Sequence, residues 1–146
     1  MRFERDDNQM SGMDKAQLDS FLGEARIGKL VTLRADGSPT VVPIWYEWDG
    51  ETATIFTSRK SAKVRRIQAD ARVALAVEEP TGVPEAWVTI EGHATIEETG
   101  GIELARRLIV RYYAPQKAAE VLPSWEQAAD DWVFIRVRPT RIESLA

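Results

Sequence analysis

The chain has 146 residues, a length that suggests one domain, and it carries 19 basic against 23 acidic residues, no cysteine and one histidine, His93. These counts exclude disulfides, thiolate metal centres and cysteine nucleophiles, and they leave little for a multi-histidine metal site or a Ser-His-Asp triad. The net charge of −4 disfavours generic duplex binding, which needs a basic face. Residues 1–10 are polar and charged, without an apolar signal core, and no run approaches the ~20 apolar residues of a membrane span. The expectation is a cytoplasmic protein with no nucleic-acid or membrane partner.

Residues 1–12 read as a flexible tail ahead of a single domain over 13–146. Leu18, Phe21, Leu22 and Ala25 recur at helical spacing, with Ser11 or Asp14 as N-cap. From Arg26 the period changes. A β-type run over 26–35 ends at Asp36-Gly37, a second covers 40–48 and ends at Asp49-Gly50, and a third covers 52–58. Asp-Gly between such runs predicts tight hairpin turns with positive φ at both central positions. A short helix is expected within 59–70, on Val64 and Ile67, followed by strands over 73–77 and 87–96, with Gly92 marking a bulge or close approach. Gly100-Gly101 precedes a helix whose apolar side holds Leu104, Leu108, Ile109 and Tyr112. Over 114–130, Pro115 and Pro123 break the pattern, and Ser124 is a candidate cap for a short helix over 125–129. The last strand runs over 132–137, with a continuation after Pro139. Six strands in hairpins with inserted helices suggest a closed or split barrel.

Two segments carry candidate chemistry. The first, Thr57 to Arg66, joins a strand to a helix and gathers hydroxyls, free N–H groups and the cations Lys60, Lys63, Arg65 and Arg66. It reads either as an anion site, for which a terminal phosphate is a natural guest, or as a solvated basic face. The second is Val41-Val42-Pro43-Ile44-Trp45-Tyr46. Pro43 cannot donate to a ladder, so it belongs at an edge or irregular site. The neighbouring backbone groups either read a planar heterocycle or simply end a protected edge strand. Of the five tryptophans, Trp45 and Trp87 are placed nearest a ligand. His93 reads as structural, and no acidic pair has metal-ligand spacing.

The ordered set Ala25 to Thr32, Arg34 to Pro39, Val41-Val42-Pro43, Thr57 to Lys63, Ala69 to Leu75 and Trp87 to Ala94 resembles the pyridoxamine 5′-phosphate oxidase-like family of flavin and deazaflavin binders, over residues 14–112. The resemblance implies a mainly β fold with helices, a six-stranded split β-barrel, and a homodimer with the cofactor at the subunit interface. It also implies that the segment holding Val41, Val42, Pro43 and Trp45 lines the cofactor ring. Thr57 matches a phosphate-binding threonine, and Ser61-Ala62-Lys63 matches a Ser-Arg-Lys triplet in which Ala62 replaces the arginine. A second phosphate-binding arginine aligns near Thr40, and a ring-contacting glutamine aligns near Trp87. The extension that binds pyridoxal phosphate in the true oxidases has no counterpart here, which implies a reaction other than vitamin B6 oxidation. Ala62-Lys63 followed by Arg65 is similar to the actinobacterial deazaflavin-dependent reductases. Their coenzyme F-420 has a phospholactyl-polyglutamate tail suited to a basic groove, here Lys60, Lys63, Arg65 and Arg66. The implied function is hydride transfer between a deazaflavin, or FMN, and a small organic substrate. The alternatives are an FMN-dependent oxidoreductase of the same fold and a non-catalytic flavin- or tetrapyrrole-binding protein.

Overall fold

A computed structural model describes residues 12–146. The expected tail and Ser11 lie, but for Gly12, outside the described residues. Helix α1 (Lys15–Gly23) starts at Asp14, whose carboxylate accepts from the Gln17 N–H at 2.8 Å. The Gln17 side chain returns the bond to the Asp14 N–H, completing a capping box. The strands are β1 (Gly28–Leu33), β2 (Pro39–Ile44), β3 (Glu47–Trp48), β4 (Ala53–Ser58), β5 (Arg72–Glu78), β6 (Trp87–Glu97) and β7 (Trp132–Leu145). Helix α2 (Ala62–Ala69) joins β4 to β5, and α3 (Gly101–Tyr112) and α4 (Pro115–Gln127) lie between β6 and β7.

All seven strands form one antiparallel sheet in the order β2-β1-β5-β6-β7-β4-β3. The sheet curls into a half-barrel whose edges, β2 and β3, are consecutive in the chain but not paired with each other. The run expected as one strand over 40–48 is thus split at Trp45-Tyr46, where the chain crosses the opening, and this adds the seventh strand. Alternation fills the inside: Leu30 on β1, Leu75 on β5, Ile90 on β6 and Ile135 on β7 are each at most 1% exposed. Each such side chain contributes about 1.5–3 kcal/mol through burial.

The Asp-Gly turns differ from expectation. Among the described residues positive φ occurs only at glycines, Gly37 and Gly50 included, so the two-residue turn with both central residues at positive φ does not form. The aspartates act through their side chains instead. Asp36 accepts from the Ser38 N–H at 2.9 Å, and Asp49 accepts from the N–H groups of Glu51 and Thr52 at 2.8 and 2.7 Å. Gly92 is both a bulge and a close approach. The β6–β7 register shifts between Glu91 and Gly92, and a Cβ at Gly92 would sit 2.2 Å from the Arg138 carbonyl oxygen.

The break expected over 114–130 is absent. Pro115 occupies the first turn of α4, where no N–H donor is needed, and Pro123 lies inside the helix. Ser124 caps nothing; its hydroxyl donates back to the Val121 carbonyl at 2.8 Å. The final strand continues through Pro139 to Leu145. No helix among the described residues is long and apolar enough to cross a membrane.

Candidate functional site

The opening of the half-barrel is lined by aromatic rings. Trp45, in the link between the two edges, stacks on Tyr112 at 4.9 Å with an interplanar angle of 1°, and meets Tyr113 edge-on at 4.7 Å. Phe56 of β4 packs on Trp125 of α4 at 5.3 Å and on Trp132 at 5.4 Å. The Trp132 indole N–H donates to the Trp125 carbonyl at 3.0 Å and ties α4 to β7. Tyr112 holds the frame: its hydroxyl donates to the Arg26 carbonyl at 2.7 Å and accepts from the Tyr46 N–H at 3.3 Å.

Between these rings lies a cleft of about 290 Å³ lined by Pro43, Ile44, Trp45, Ile55, Phe56, Lys63, Tyr113 and Trp125. Three of the residues singled out from sequence meet here: Pro43, Trp45 and Lys63. Lys63 is the cation of this cleft and has no carboxylate within ion-pair distance among the described residues. Burial, and secondarily the nearby Arg66 charge, pulls its ammonium pKa below the usual lysine value.

The strand–helix junction sits beside Lys63. Ser61 is the N-cap of α2 and accepts from the Val64 N–H at 3.4 Å, while the Thr57 hydroxyl donates to Ser61 Oγ at 3.1 Å. Thr57 is buried and Ala62 opens the helix, half-buried. Arg65 and Arg66 do not enter the cleft. They line a separate groove of about 630 Å³, together with Arg34, Arg72 and the carboxylates Asp36 and Asp70. Arg65 also donates to the Lys60 carbonyl at 2.9 Å. Arg72 pairs with Asp70, whose pKa falls to about 2 through that hydrogen-bonded contact. The expected single basic groove is therefore two regions, bridged along α2 by Lys63 and Arg66 at i and i+3.

Val41 and Val42 point to opposite sides of β2. Val42 packs against the core, and Val41 is 62% exposed. Trp87 stands at the start of β6, opposite Glu78 and Leu145, away from the cleft lining. Sequence reasoning did not select Phe56, Tyr113 or Trp125. An aromatic count over 112–134 signals the region, but the two prolines in that stretch hide the helix that presents Trp125.

A curled antiparallel sheet that opens between its two edges, with an aromatic cleft at the opening, is a split β-barrel. Residues 14–146 match the pyridoxamine 5′-phosphate oxidase family, and the chain belongs to it. It is 32% identical over 95 residues to a biliverdin reductase of Mycobacterium tuberculosis that depends on reduced F-420. That match covers 64% of this chain and spans 65% of the relative's length. Among solved structures, an F-420 reductase superposes with a TM-score of 0.68 at 29% identity, covering 85% of this chain and 94% of that one. A conserved hypothetical protein from Mycobacterium tuberculosis superposes with a TM-score of 0.73 at 30% identity, covering 98% and 89%. Within the family, the similarity is thus to the deazaflavin-dependent reductase branch.

Proposed function

We propose that the protein is an oxidoreductase that binds a deazaflavin coenzyme of the F-420 type and transfers hydride between it and a small organic molecule. One observation carries this reading: an aromatic cleft ends at Lys63, a half-buried cation with no carboxylate partner among the described residues, next to the Thr57–Ser61 hydroxyl pair. A planar ring joined to a phosphate needs that combination. Ser61 and Lys63 hold the phosphate, Thr57 orients Ser61, and Ala62 leaves the room an arginine would fill. Pro43 and Trp45 flank the ring, with the backbone of Val41 and Val42 continuing the wall. Arg65 and Arg66 face the groove beyond, which suits an acidic tail better than FMN's single phosphate group.

When bound, the coenzyme supplies the hydride chemistry, while the chain binds, orients and excludes water. The family resemblance adds a homodimer. The outer sheet face, with Val31, Val41, Ala74 and Ala76 in register, is the surface a second copy would cover. Trp87 shares that face, so its place at a ligand belongs to such a dimer.

Fluorescence titration of the purified apo-protein with coenzyme F-420 and, separately, with FMN tests the reading. The expected result is low-micromolar or tighter binding of the deazaflavin, weakened at least about tenfold, or ~1.4 kcal/mol, in Lys63→Ala. Preference for FMN would move the protein to the flavin branch. Binding of neither would remove the cofactor assignment.

A further inference from the structure

Lys63 differs from every other lysine of the chain. Lys15 is paired with Asp19 and Lys29 with Glu78, Lys117 is exposed over the Tyr113 ring, and Lys60 is exposed. Lys63 alone is half-buried without a carboxylate partner among the described residues, and it lines a cleft whose walls include Pro43, Ile44, Ile55 and Phe56. The other titratable side chain lining that cleft is Tyr113, so no acid there holds the amine in its charged form. Along α2 its charged neighbour is another cation, Arg66. Desolvation first, and Arg66 second, therefore favour the neutral amine. A neutral amine has a free lone pair, and a lysine desolvated beside a cation is an activated nucleophile. The surroundings also attract anions, because Lys60 and Arg66 have no ion-pair partner among the described residues.

We propose that Lys63 is a modification site for small acyl phosphates, and that its acylation shuts the cleft to the coenzyme; the second half rests on the coenzyme reading above. The Lys63 amine attacks the acyl carbon and forms an amide bond. The bond from that carbon to the phosphoryl oxygen breaks, phosphate leaves with the electron pair, and the proton shed by the amine passes to phosphate or solvent. Nothing is oxidised or reduced. Lys60 and Arg66 draw the anionic leaving group, while the acyl group enters the apolar cleft. The product carries no charge at Lys63 and adds its acyl group to the cleft, which thus loses its cation and part of its room.

The test incubates the folded full chain with acetyl phosphate at neutral pH and reads the acetylation rate of each lysine by peptide mass spectrometry, with Lys60 as the internal standard. Lys63 is expected to react at least about threefold faster than Lys60. The difference should vanish in urea, where both amines meet the same solvent, and should be smaller with the neutral donor N-hydroxysuccinimidyl acetate. A Lys63 rate no higher than that of Lys60, a preference that persists in urea, or one equally large with the neutral donor overturns the proposal. Coenzyme F-420 titration of samples at increasing acetylation tests the second half. The fraction able to bind should fall in step with acetylation of Lys63 and not with that of Lys60. Unchanged binding with Lys63 acetylated overturns the switch. If Lys63 reacts as expected but the coenzyme does not bind the unmodified chain, the coenzyme assignment falls and the modification site stands. If the coenzyme binds and Lys63 shows no preference, the modification site alone falls.

Discussion

Lys63 shows how one residue joins sequence to function. A lysine on a short helix is ordinarily a wet cation, but here Val64 and Ile67 seat α2 against the sheet, and that seating draws the Lys63 stem toward Pro43 and Trp45. Desolvation, then the Arg66 charge, lowers its pKa. In the free protein a lowered lysine pKa opposes stability while the group is charged, and that cost is relieved as pH rises through the folded value toward the unfolded 10.5. A bound phosphate reverses the balance, because a neighbouring anion favours the ammonium. Affinity for the phosphate-bearing coenzyme is therefore expected to hold steady from neutral pH into the mildly alkaline range. It should then fall as Lys63 loses its proton, before the ordinary lysine value is reached. Titrations across the alkaline range on wild type and Lys63→Met check this. The variant should bind more weakly and lack the alkaline fall, and an equal fall in both would show that another group governs it.

At the scale of elements, β6 and β7 form the longest ladder of the sheet, and its continuity depends on Gly92. The bulge brings the Arg138 backbone so close that any Cβ collides with a carbonyl rather than with a side chain that could rotate away. Gly92→Ala is expected to cost about 1–3 kcal/mol as overpacking against backbone. For a chain of this size each kcal/mol corresponds to a few degrees in Tm. Thermal unfolding measures it, and a Tm unchanged within a degree would mean that the ladder can slide to make room.

This bulge was legible in the sequence, as were α1, α2, α3 and the strands other than the split of 40–48 into β2 and β3, because period 2 and period 3.6 alternate cleanly between Gly and Pro signals. Helix α4 was not. Pro115 and Pro123 are breakers by propensity, yet the first sits where no donor is required. The second lies in a helix pinned by Trp125 against Phe56 and Trp132, and by the Trp132 indole on the Trp125 carbonyl. The site followed the same division. Pro43, Trp45 and Lys63 could be chosen from local chemistry and resemblance, whereas Tyr113 and Trp125 reach the cleft only through the packing of a helix whose pattern reads as broken. That Arg65 and Arg66 border a different groove from Lys63 was hidden for a related reason: which cleft each α2 side chain borders depends on how the helix is docked, not on the charge run itself.

At the scale of the molecule, the two edges of the half-barrel are held by Tyr46. It is fully buried in the link between β2 and β3, with its hydroxyl donating to the Glu24 carbonyl at 3.4 Å and its N–H to Tyr112. Through these contacts it connects the end of α1, the opening of the sheet and the end of α3, and Arg111 reinforces the joint by donating to the Gly23 and Glu24 carbonyls at 2.7 and 2.8 Å. Burial, first, and the neighbouring Tyr112, second, push the Tyr46 phenol from 10.0 up to about 12. The unfolded chain releases this proton near pH 10 while the folded chain retains it, so the folded state binds more protons in that window. Stability from this group is complete below pH 10 and is lost as pH rises toward about 12, with a limiting slope of ~1.4 kcal/mol per pH unit. The Lys63 effect runs the other way but acts at lower pH, below the ordinary lysine value, so the two do not cancel in the upper part of the window. Denaturant unfolding at pH 8 and pH 11 is therefore expected to show a larger alkaline loss in wild type than in Tyr46→Phe, which cannot ionise and forfeits only one long hydrogen bond at neutral pH. An alkaline loss of the same size in both proteins would assign the sensitivity to other groups and leave Tyr46 a packing residue alone.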